Sequence, residues 1–339
     1  MGSNDIGIDL GTATTIVHIH NKGIVLKEPS VVAIDARSGV VRSVGQDAYT
    51  MLGKTPDTMR VIRPLEDGVI SDYVVTGEMI KHFIRKLNVG TIFKPRVCVC
   101  VPSGITEVES RAVIDTVLSA GARKVFLIEE PVAAAIGAGI DITPPGGNII
   151  LDIGGGTSDI AVLSLSGVVC KSSVRVAGNR LTEAIIKYIS DKYNVLIGMS
   201  TAERTKEEIG SVWPVEELKE YPVKGRNLYT GLPQKLVITN QELVAPLAGE
   251  ADLIISALKG VLERTPPELM ADLQSRGVVM TGGGAMIRGL AELIQHETHL
   301  EAHLAPNPVE CVALGVGKSF EYLDKLTDGF INHTNRFSN

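Results

Sequence analysis

Two short stretches each combine an aspartate with a turn of glycine and hydroxyl residues. The first, IGIDLGTATTIV (6–17), carries Asp9, and the second, ILDIGGGTSDIAV (150–162), carries Asp152. In each stretch a strand-like run ends at the aspartate and another run follows the turn. Glycine-rich turns expose backbone N–H groups to an anion, and the hydroxyl side chains add further donors. The pair therefore predicts two opposed loops on a phosphate group.

Two carboxylates beside a phosphate need a positive charge between them, because Asp9 and Asp152 alone would repel the anion. Magnesium suits this arrangement, since it keeps several of its waters and often meets carboxylates through them. The sequence therefore predicts a magnesium–nucleotide site between the two stretches. Structural β-turns are the alternative for either stretch alone, and the matched aspartates favour the binding site.

A third glycine run, VVMTGGGAMIRG (278–289), is predicted to follow a strand and to open a helix. A helix N-terminus behind glycines allows a nucleotide to approach the backbone closely. Many strand-to-helix turns contain glycine for structural reasons alone, so this motif is less specific than the paired stretches.

The stretch LIEEPVAAAIGAG (127–139) places Glu129 and Glu130 at the end of a strand, directly before a helix that starts with proline,. A carboxylate here would accept a hydrogen bond from a water that attacks a γ-phosphate. It would equally stabilise a helix N-terminus through the helix dipole. The pattern alone leaves both interpretations open.

Bulk composition narrows the class of protein. The chain has 339 residues, 44% of them hydrophobic and 21% charged, which predicts a globular protein of two domains or lobes,. A net charge of −6 without a basic block argues against nucleic-acid binding,. Without an apolar run of about 18 residues, no membrane-spanning helix is expected. Its four cysteines lack metal-site spacing and are predicted to be reduced and buried.

The spacing of apolar residues predicts strands alternating with helices. Helices are expected over 76–89, over 106–122 with Thr106 and Glu109 as a capping box, and over 131–140,. The strand-turn-strand pattern around Asp9 recurs around Asp152, about half the chain later. This repeat predicts two related lobes, each a mixed sheet with helices, and a ligand in the cleft between them.

Four motifs in this order resemble the superfamily of actin, heat-shock chaperone and sugar kinase ATPases: DLGTATT, LIEEPVAAAIGAG, DIGGGTSDIAV and MTGGGAMIRGL. Within it, the chain is similar over nearly its whole length to the MreB/Mbl family of bacterial actins. The segments that carry this similarity are IVLKEPSVVAID, VIRPLEDGVISDY, VPSGITEVESRAV, TAERTKEEIG and ERTPPEL.

The resemblance implies an α/β actin-like ATPase fold. Two duplicated lobes would each contain a mixed five-stranded sheet flanked by helices, with the nucleotide in the inter-lobe cleft. The implied subdomains are a first-lobe core (1–31, 74–143 and 315–339) with a small subdomain (32–73), and a second-lobe core (144–177 and 248–314) with a small subdomain (178–247).

The resemblance also implies ATP and Mg²⁺ as ligands and assigns roles by position. Glu130 would polarise the attacking water, Asp9 and Asp152 would hold Mg²⁺ through water and act in catalysis, and Glu129 would be structural. The implied nucleotide contacts are Gly11, Thr12, Ala13 and Thr14; Gly154, Gly155, Gly156 and Thr157; Gly178, Glu203 and Lys206; and Gly282, Gly283, Gly284 and Ala285.

Some positions depart from the family pattern or allow another interpretation. Thr14 stands where the family usually has Asn, Asn179 where it often has Asp, and GGGTSD replaces GGGTTE. None of these changes removes a catalytic group, although the hydrolysis rate is open to change. By spacing alone, Glu203 and Lys206 would also fit a solvated ion pair on one helical face.

The resemblance further implies a cytoplasmic filament of many copies of this chain on the inner face of the cell membrane. ATP hydrolysis would be coupled to polymerisation, and the filament would organise wall synthesis and rod shape with elongation proteins such as MreC, MreD and RodZ. Ile92 and Phe93, in a loop flanked by cations, are the expected membrane contact, with an ordinary folded loop as the alternative. Only five residues precede the first strand, so an amphipathic N-terminal helix is not expected.

Two other functions fit the same fold. A chaperone-type ATPase would need a substrate domain and lid after the ATPase part, and the chain ends without them. A small-molecule kinase would need a base aimed at a substrate hydroxyl, and the sequence offers no distinct candidate for it.

Overall fold

Two sheets of matching topology organise the chain, each followed by helices that cover its faces. The computed structural model describes residues 5–87, 94–321 and 330–332. The strands are β1 (Ile6–Leu10), β2 (Thr14–Ile19), β3 (Gly23–Pro29), β4 (Val32–Asp35), β5 (Val41–Val44), β6 (Met59–Ile62), β7 (Leu65–Glu66), β8 (Val69–Ile70), β9 (Arg96–Val101), β10 (Lys124–Glu129), β11 (Asn148–Ile153), β12 (Ser158–Ser164), β13 (Gly167–Val174), β14 (Val195–Leu196), β15 (Glu220–Asn227), β16 (Pro233–Thr239), β17 (Val278–Thr281), β18 (Ala302–Leu304) and β19 (Phe330–Asn332). The α-helices are α1 (Gln46–Thr50), α2 (Tyr73–Lys86), α3 (Glu107–Ser119), α4 (Glu130–Gly137), α5 (Gly178–Tyr193), α6 (Met199–Ile209), α7 (Asn240–Arg264), α8 (Pro267–Arg276), α9 (Leu290–Thr298) and α10 (Cys311–Lys318).

The two sheets show the duplication that the repeat predicted. In the first sheet the order β10-β9-β1-β2-β3 combines an antiparallel meander with two parallel strands, and β18-β17-β11-β12-β13 repeats it in the second. The first sheet differs from the expected five strands by one, because β19 pairs antiparallel with β10 at its edge. This strand has only three residues and pairs with a segment two hundred residues earlier, so the local sequence contains no pattern that predicts it.

Capping groups set the helix ends. The expected helix at 76–89 begins three residues earlier, because the Asp72 side chain accepts a hydrogen bond from the Val75 N–H,. The capping box of Thr106 and Glu109 is confirmed at the start of α3,. Pro131 lies in the first turn of α4, where a missing N–H costs nothing,.

The glycine run after β17 does not open a long helix, so that expectation was wrong. A single 3₁₀ turn covers Gly284–Met286, and α9 begins only at Leu290. The physical reason is a pair of glycines with positive φ, +84° at Gly282 and +80° at Gly289, which interrupt right-handed helical geometry,. At Gly289 a side chain is also excluded, since a Cβ would lie 2.4 Å from the Trp213 Cβ.

Smaller sheets complete each lobe. In the first lobe, β5-β4-β6 forms a three-stranded sheet with α1 beside it, and β7 and β8 form a short hairpin. In the second lobe, the sheet β14-β15-β16 lies against α5, α6 and α7, and its residues Val223 and Ile238 belong to the apolar cluster of that lobe. The subdomain boundaries stated above remain a prediction.

Helices α4 and α10 fill the space between the two sheets. Their apolar residues form one cluster with Phe126 and Ile128 of the first sheet and with Ile150 and Leu163 of the second. Separate clusters lie on the outer faces of the two sheets. The relative position of the lobes therefore depends on how these two helices pack.

The crossing of α4 and α10 is closer than any side chain would allow. A Cβ on Gly137 would lie 1.7 Å from the Cys311 carbonyl oxygen, and a Cβ on Gly315 would lie 1.7 Å from the Ala133 carbonyl oxygen. At the crossing, a glycine of each helix thus lies against the backbone of the other helix. Alanine and glycine on both faces explain this approach, since larger residues would hold the axes farther apart.

Replacing Gly315 by alanine should force α4 and α10 apart and disturb the packing of both sheets. We expect Gly315→Ala to lower the free energy of unfolding by about 3 kcal/mol or more, the upper part of the range for overpacked cores. Gly260→Ala is the matched control, because Gly260 lies inside α7 with no atom within 4 Å of its added Cβ. That control should stabilise the protein by up to about 1 kcal/mol. Urea unfolding measures both, and equal stability of the two variants would contradict the close crossing.

Candidate functional site: a carboxylate-lined cleft between the lobes

A cavity of about 620 Å³ lies between the two lobes. It collects residues that the sequence places hundreds of positions apart. The predicted site residues that line it are Asp9, Gly11, Thr12, Ala13, Thr14, Glu130, Asp152, Gly154, Gly155, Gly156, Thr157, Gly178, Glu203, Lys206, Gly282, Gly283 and Gly284. Ala285, the remaining predicted contact, is buried and does not line the cavity.

The two glycine turns touch each other across the floor of the cleft. A Cβ on Gly155 would lie 2.8 Å from the Ala13 Cβ, and a Cβ on Gly156 would lie 2.7 Å from the Thr12 hydroxyl oxygen. Only glycine fits at these two positions, whatever the ligand. The start of α5 supports the second turn, since the N–H groups of Gly178 and Asn179 donate to the carbonyls of Gly154 and Gly155. These α5 N–H groups therefore shape the turn.

Asp9 and Asp152 occupy equivalent places, each one residue before the end of the first strand of its meander. The Asp9 carboxylate accepts a hydrogen bond from the Cys100 thiol at 3.3 Å, and Asp152 accepts one from the Thr281 hydroxyl at 2.6 Å. Burial is the main cause that raises the pKa of Asp9 to about 6 and that of Asp152 to about 7,.

The structure adds a carboxylate that sequence reasoning missed. Asp159 on β12 lies directly opposite Asp152 in the strand register, and its Oδ1 accepts a hydrogen bond from the Ser103 N–H at 2.7 Å. Burial raises the pKa of Asp159 to about 6. The signal was present in GGGTSD, because positions equidistant from a hairpin turn face each other across the two strands.

Glu129 and Glu130 separate into different environments despite being adjacent. Glu130 is half-buried and lines the cavity, and burial followed by the charges of Asp159, Asp152 and Asp9 raises its pKa well above the usual range. Glu129 points elsewhere, and its Oε1 accepts a hydrogen bond from the Lys171 ammonium of the second lobe at 2.6 Å. Glu130 is therefore the one of the two whose carboxyl group can reach a ligand in the cleft.

The carboxylates in the cleft fit a divalent cation. Asp9, Asp152 and Glu130 line one cavity, and no ion pair joins any of them to a lysine or arginine within the described ranges. Burial raises the pKa values of all three carboxyl groups, so a cation in the cavity would favour their ionised forms,. Among the same residues no group of three or more His, Cys, Asp or Glu side chains is placed to bind a metal directly.

The far end of the cleft contains a buried lysine. The Lys206 ammonium donates to the Gly178 carbonyl at 2.9 Å and to the Thr182 hydroxyl at 3.0 Å, and it pairs with Glu203 at 2.9 Å. The ion pair that spacing allowed does form, but Lys206 is buried rather than solvated. It joins α6 to the start of α5 beside the second glycine turn.

Other cavity residues were not apparent from the sequence. The hairpin of β7 and β8 reaches the first glycine turn, where the Gly68 N–H donates to the Thr12 hydroxyl at 3.0 Å. Arg63 spans the cleft to Asn179, with 3.4 Å between its guanidinium nitrogen and the amide oxygen. Further lining residues are Ile16, Glu207, Gly210, Met286, Ile287, Arg288, Val309 and Val312. These residues come from several separate strands, helices and turns, which only tertiary packing brings to the cleft.

The expected membrane contacts, Ile92 and Phe93, lie outside the described residues. Within the described ranges no helix is long and apolar enough to cross a membrane. All four cysteines are free thiols, and Cys98, Cys100 and Cys311 are buried as predicted, whereas Cys170 is only half-buried.

A family model described as MreB/Mbl protein matches residues 3–328 of this chain. The chain belongs to the MreB/Mbl family. The cell shape-determining protein MreB of Escherichia coli strain K12 is 49% identical over 330 residues, which cover 96% of this chain and 95% of that protein. The cell shape-determining protein Mbl of Bacillus cereus is 47% identical over 327 residues, which cover 96% of this chain and 98% of that protein.

Solved structures agree with the family assignment. MreB 5 of Spiroplasma citri bound to AMPPNP matches with a TM-score of 0.90 at 36% identity, over 94% of this chain and 96% of that chain. The MamK double helical filament matches with a TM-score of 0.78 at 22% identity, over 93% of this chain and 98% of that chain, which shows the fold alone. The fold of this MreB/Mbl family member is thus that of the actin-like ATPases, as predicted.

The raised carboxyl pKa values predict a pH dependence of stability for the protein without nucleotide or divalent cation. Because the folded-state pKa of Asp152 is about 7 and its reference value is 3.8, the folded state holds this proton more tightly than the unfolded chain. Stability should therefore fall as the pH rises from about 4 to about 7. Asp152→Asn should reduce this fall, to which Asp9, Asp159 and Glu130 also contribute. It should stabilise the protein near pH 8 by up to roughly 4 kcal/mol, at 1.36 kcal/mol per pKa unit.

Urea unfolding between pH 4.5 and 8 in the presence of EDTA measures this effect. Asp57→Asn is the control, because Asp57 is exposed and outside the cleft, and it should follow the wild type at every pH. If stability changes between pH 5 and 8 by the same amount in the wild type and in both variants, the ionisation of Asp152 does not contribute to the pH dependence and the prediction is wrong.

Proposed function

We propose that this chain is a filament-forming protein that binds and hydrolyses Mg²⁺-ATP and determines cell shape. The observation that carries the proposal is the convergence of Glu130, Asp9 and Asp152 on one cavity whose floor consists of two touching glycine turns. The bound AMPPNP in the S. citri relative and the cell shape-determining role named for the E. coli and B. cereus proteins support it.

The proposed hydrolysis assigns each group one task. Backbone N–H groups of residues 11–14 and 155–157 would bind the phosphates, since the Gly154 N–H donates to the Thr157 carbonyl, and Asp9 and Asp152 would hold Mg²⁺ through its waters. When bound, Mg²⁺ neutralises the phosphate charge that grows in the transition state. The Glu130 carboxylate accepts a hydrogen bond from the attacking water, whose oxygen bonds to the γ-phosphorus as the bond to ADP breaks.

The neighbouring carboxylates support a proton-accepting role for Glu130. The charges of Asp159, Asp152 and Asp9 favour a proton on Glu130, and a raised pKa makes the carboxylate a stronger base towards water,. A cation bound beside Asp9 and Asp152 would offset the part of this effect that their charges contribute and so favour the ionised form of Glu130,.

We further propose that ATP binding favours assembly into filaments and that hydrolysis weakens them. The match to a filament-forming protein of the same fold supports self-association. We propose a peripheral location on the inner membrane face, with Ile92 and Phe93 as contacts, and wall-elongation proteins such as MreC, MreD and RodZ as partners.

The assignment of Glu130 predicts a separation of binding from hydrolysis. Glu130→Gln should bind a fluorescent ATP analogue within about twofold of the wild type and slow phosphate release by about 10²-fold. Glu129→Gln is the matched control, because it removes the same charge one residue away but outside the cavity. It should retain hydrolysis within about threefold. The assignment fails if phosphate release drops in Glu129→Gln and is unchanged in Glu130→Gln.

Assembly is tested by sedimentation with Mg²⁺-ATP, Mg²⁺-ADP or no nucleotide, with and without vesicles that contain an anionic lipid. We expect a pellet that depends on protein concentration with ATP and a smaller one with ADP. Co-flotation with vesicles should be lost in the double variant Ile92→Asp with Phe93→Asp, while the pellet in ATP remains. The absence of sedimentable polymer under every condition would count against the filament function.

A further inference from the structure

Cys100 contacts the Asp9 carboxylate from the neighbouring strand. It lies one residue before the end of β9, which runs parallel to β1 with Ile8 opposite Val99, so that Cys100 follows in register beside Asp9. The thiol is 4% exposed and donates to the Asp9 Oδ1 at 3.3 Å. Among the described residues it is the one side chain that donates a hydrogen bond to this carboxylate.

The second lobe repeats the arrangement with a different donor. β17 is the parallel neighbour of β11, as β9 is of β1, and Thr281 is the register partner of Asp152. The Thr281 hydroxyl donates to Asp152 at 2.6 Å. In both lobes, therefore, the cleft aspartate receives one hydrogen bond from the equivalent position of the adjacent parallel strand. The same contact therefore occurs at the equivalent position of both lobes, although the donor is a thiol in one and a hydroxyl in the other.

We propose that Cys100 is a positioning residue for Asp9. Its thiol holds one carboxylate oxygen and so sets the orientation in which Asp9 meets the hydrated Mg²⁺ of a bound nucleotide. This inference rests on the Mg²⁺-nucleotide site proposed above. A carboxylate without such a donor rotates more freely about its χ2 bond, and part of the binding free energy would be spent on ordering it.

The thiol and the hydroxyl should differ in strength. A thiol is a weaker hydrogen-bond donor than a hydroxyl. We therefore expect the first lobe to hold its aspartate less firmly than the second. A serine at position 100 would replace the weak donor by a stronger one, while a valine would keep a similar volume and remove the donor.

The test compares the affinity for a fluorescent ADP analogue in Mg²⁺ with that in EDTA, on the full chain. The ratio of the two dissociation constants reports the metal contribution without requiring hydrolysis. Cys100→Val should reduce this ratio by roughly fivefold, in line with the loss of one hydrogen bond of ordinary strength, and leave the affinity in EDTA unchanged. Cys100→Ser should keep the ratio within about twofold of the wild type.

Cys98→Val is the matched control. Cys98 lies two residues earlier on the same face of β9 and is equally buried, but its sulfur accepts a hydrogen bond from the Ser319 hydroxyl instead of contacting a carboxylate. It should show the wild-type ratio. Thermal unfolding confirms that each variant is folded, and Cys100→Ala provides a second donor-free variant if valine does not fit.

The outcomes separate the inference from the proposed function. A wild-type ratio near one would show that Mg²⁺ does not contribute to nucleotide affinity, and both the proposed Mg²⁺ site and this inference would be wrong. A clear wild-type ratio that Cys100→Val and Cys100→Ala retain would overturn the inference alone. The same conclusion follows if Cys100→Ser or Cys98→Val lowers the ratio of dissociation constants as much as Cys100→Val does, because the effect would then come from packing.

Discussion

The close crossing of α4 and α10 is the constraint on which the rest of the structure depends. Gly137 and Gly315 bring the two backbones into contact at the centre of the molecule, with one sheet on each side. That separation places the two glycine turns within contact distance of each other, at Ala13 and Gly155. A wider crossing would move the lobes apart, and no single ligand would then reach both turns.

The cleft concentrates negative charge at some cost in stability. Asp9, Asp152, Asp159 and Glu130 all have pKa values raised chiefly by burial, which means that the folded protein resists ionising them. A site that is unfavourable when empty gains the most from a cation and its phosphate ligand. The protein should therefore be considerably more stable with its ligand than without it, as expected when a ligand binds only the folded state.

Local chemistry made much of the site predictable. The turns around Asp9 and Asp152 were recognisable because glycine, hydroxyl and carboxylate residues occur within a few positions, and the Thr106 cap follows from residues three apart. Asp159, Cys100 and Thr281 escaped notice because their roles depend on which residue faces which across two strands. The strand Phe330–Asn332 and the short turn after Gly284 depend on distant pairing and on two glycine conformations, which apolar spacing does not encode.

The ion pair between Glu129 and Lys171 has a mechanical consequence. It ties the end of a first-lobe strand to β13 of the second lobe, and Glu130 is the next residue along the chain. A rotation of one lobe against the other would change the distance across this ion pair unless the two side chains adjust. The residue proposed to act on the attacking water therefore lies next to a direct link between the two lobes.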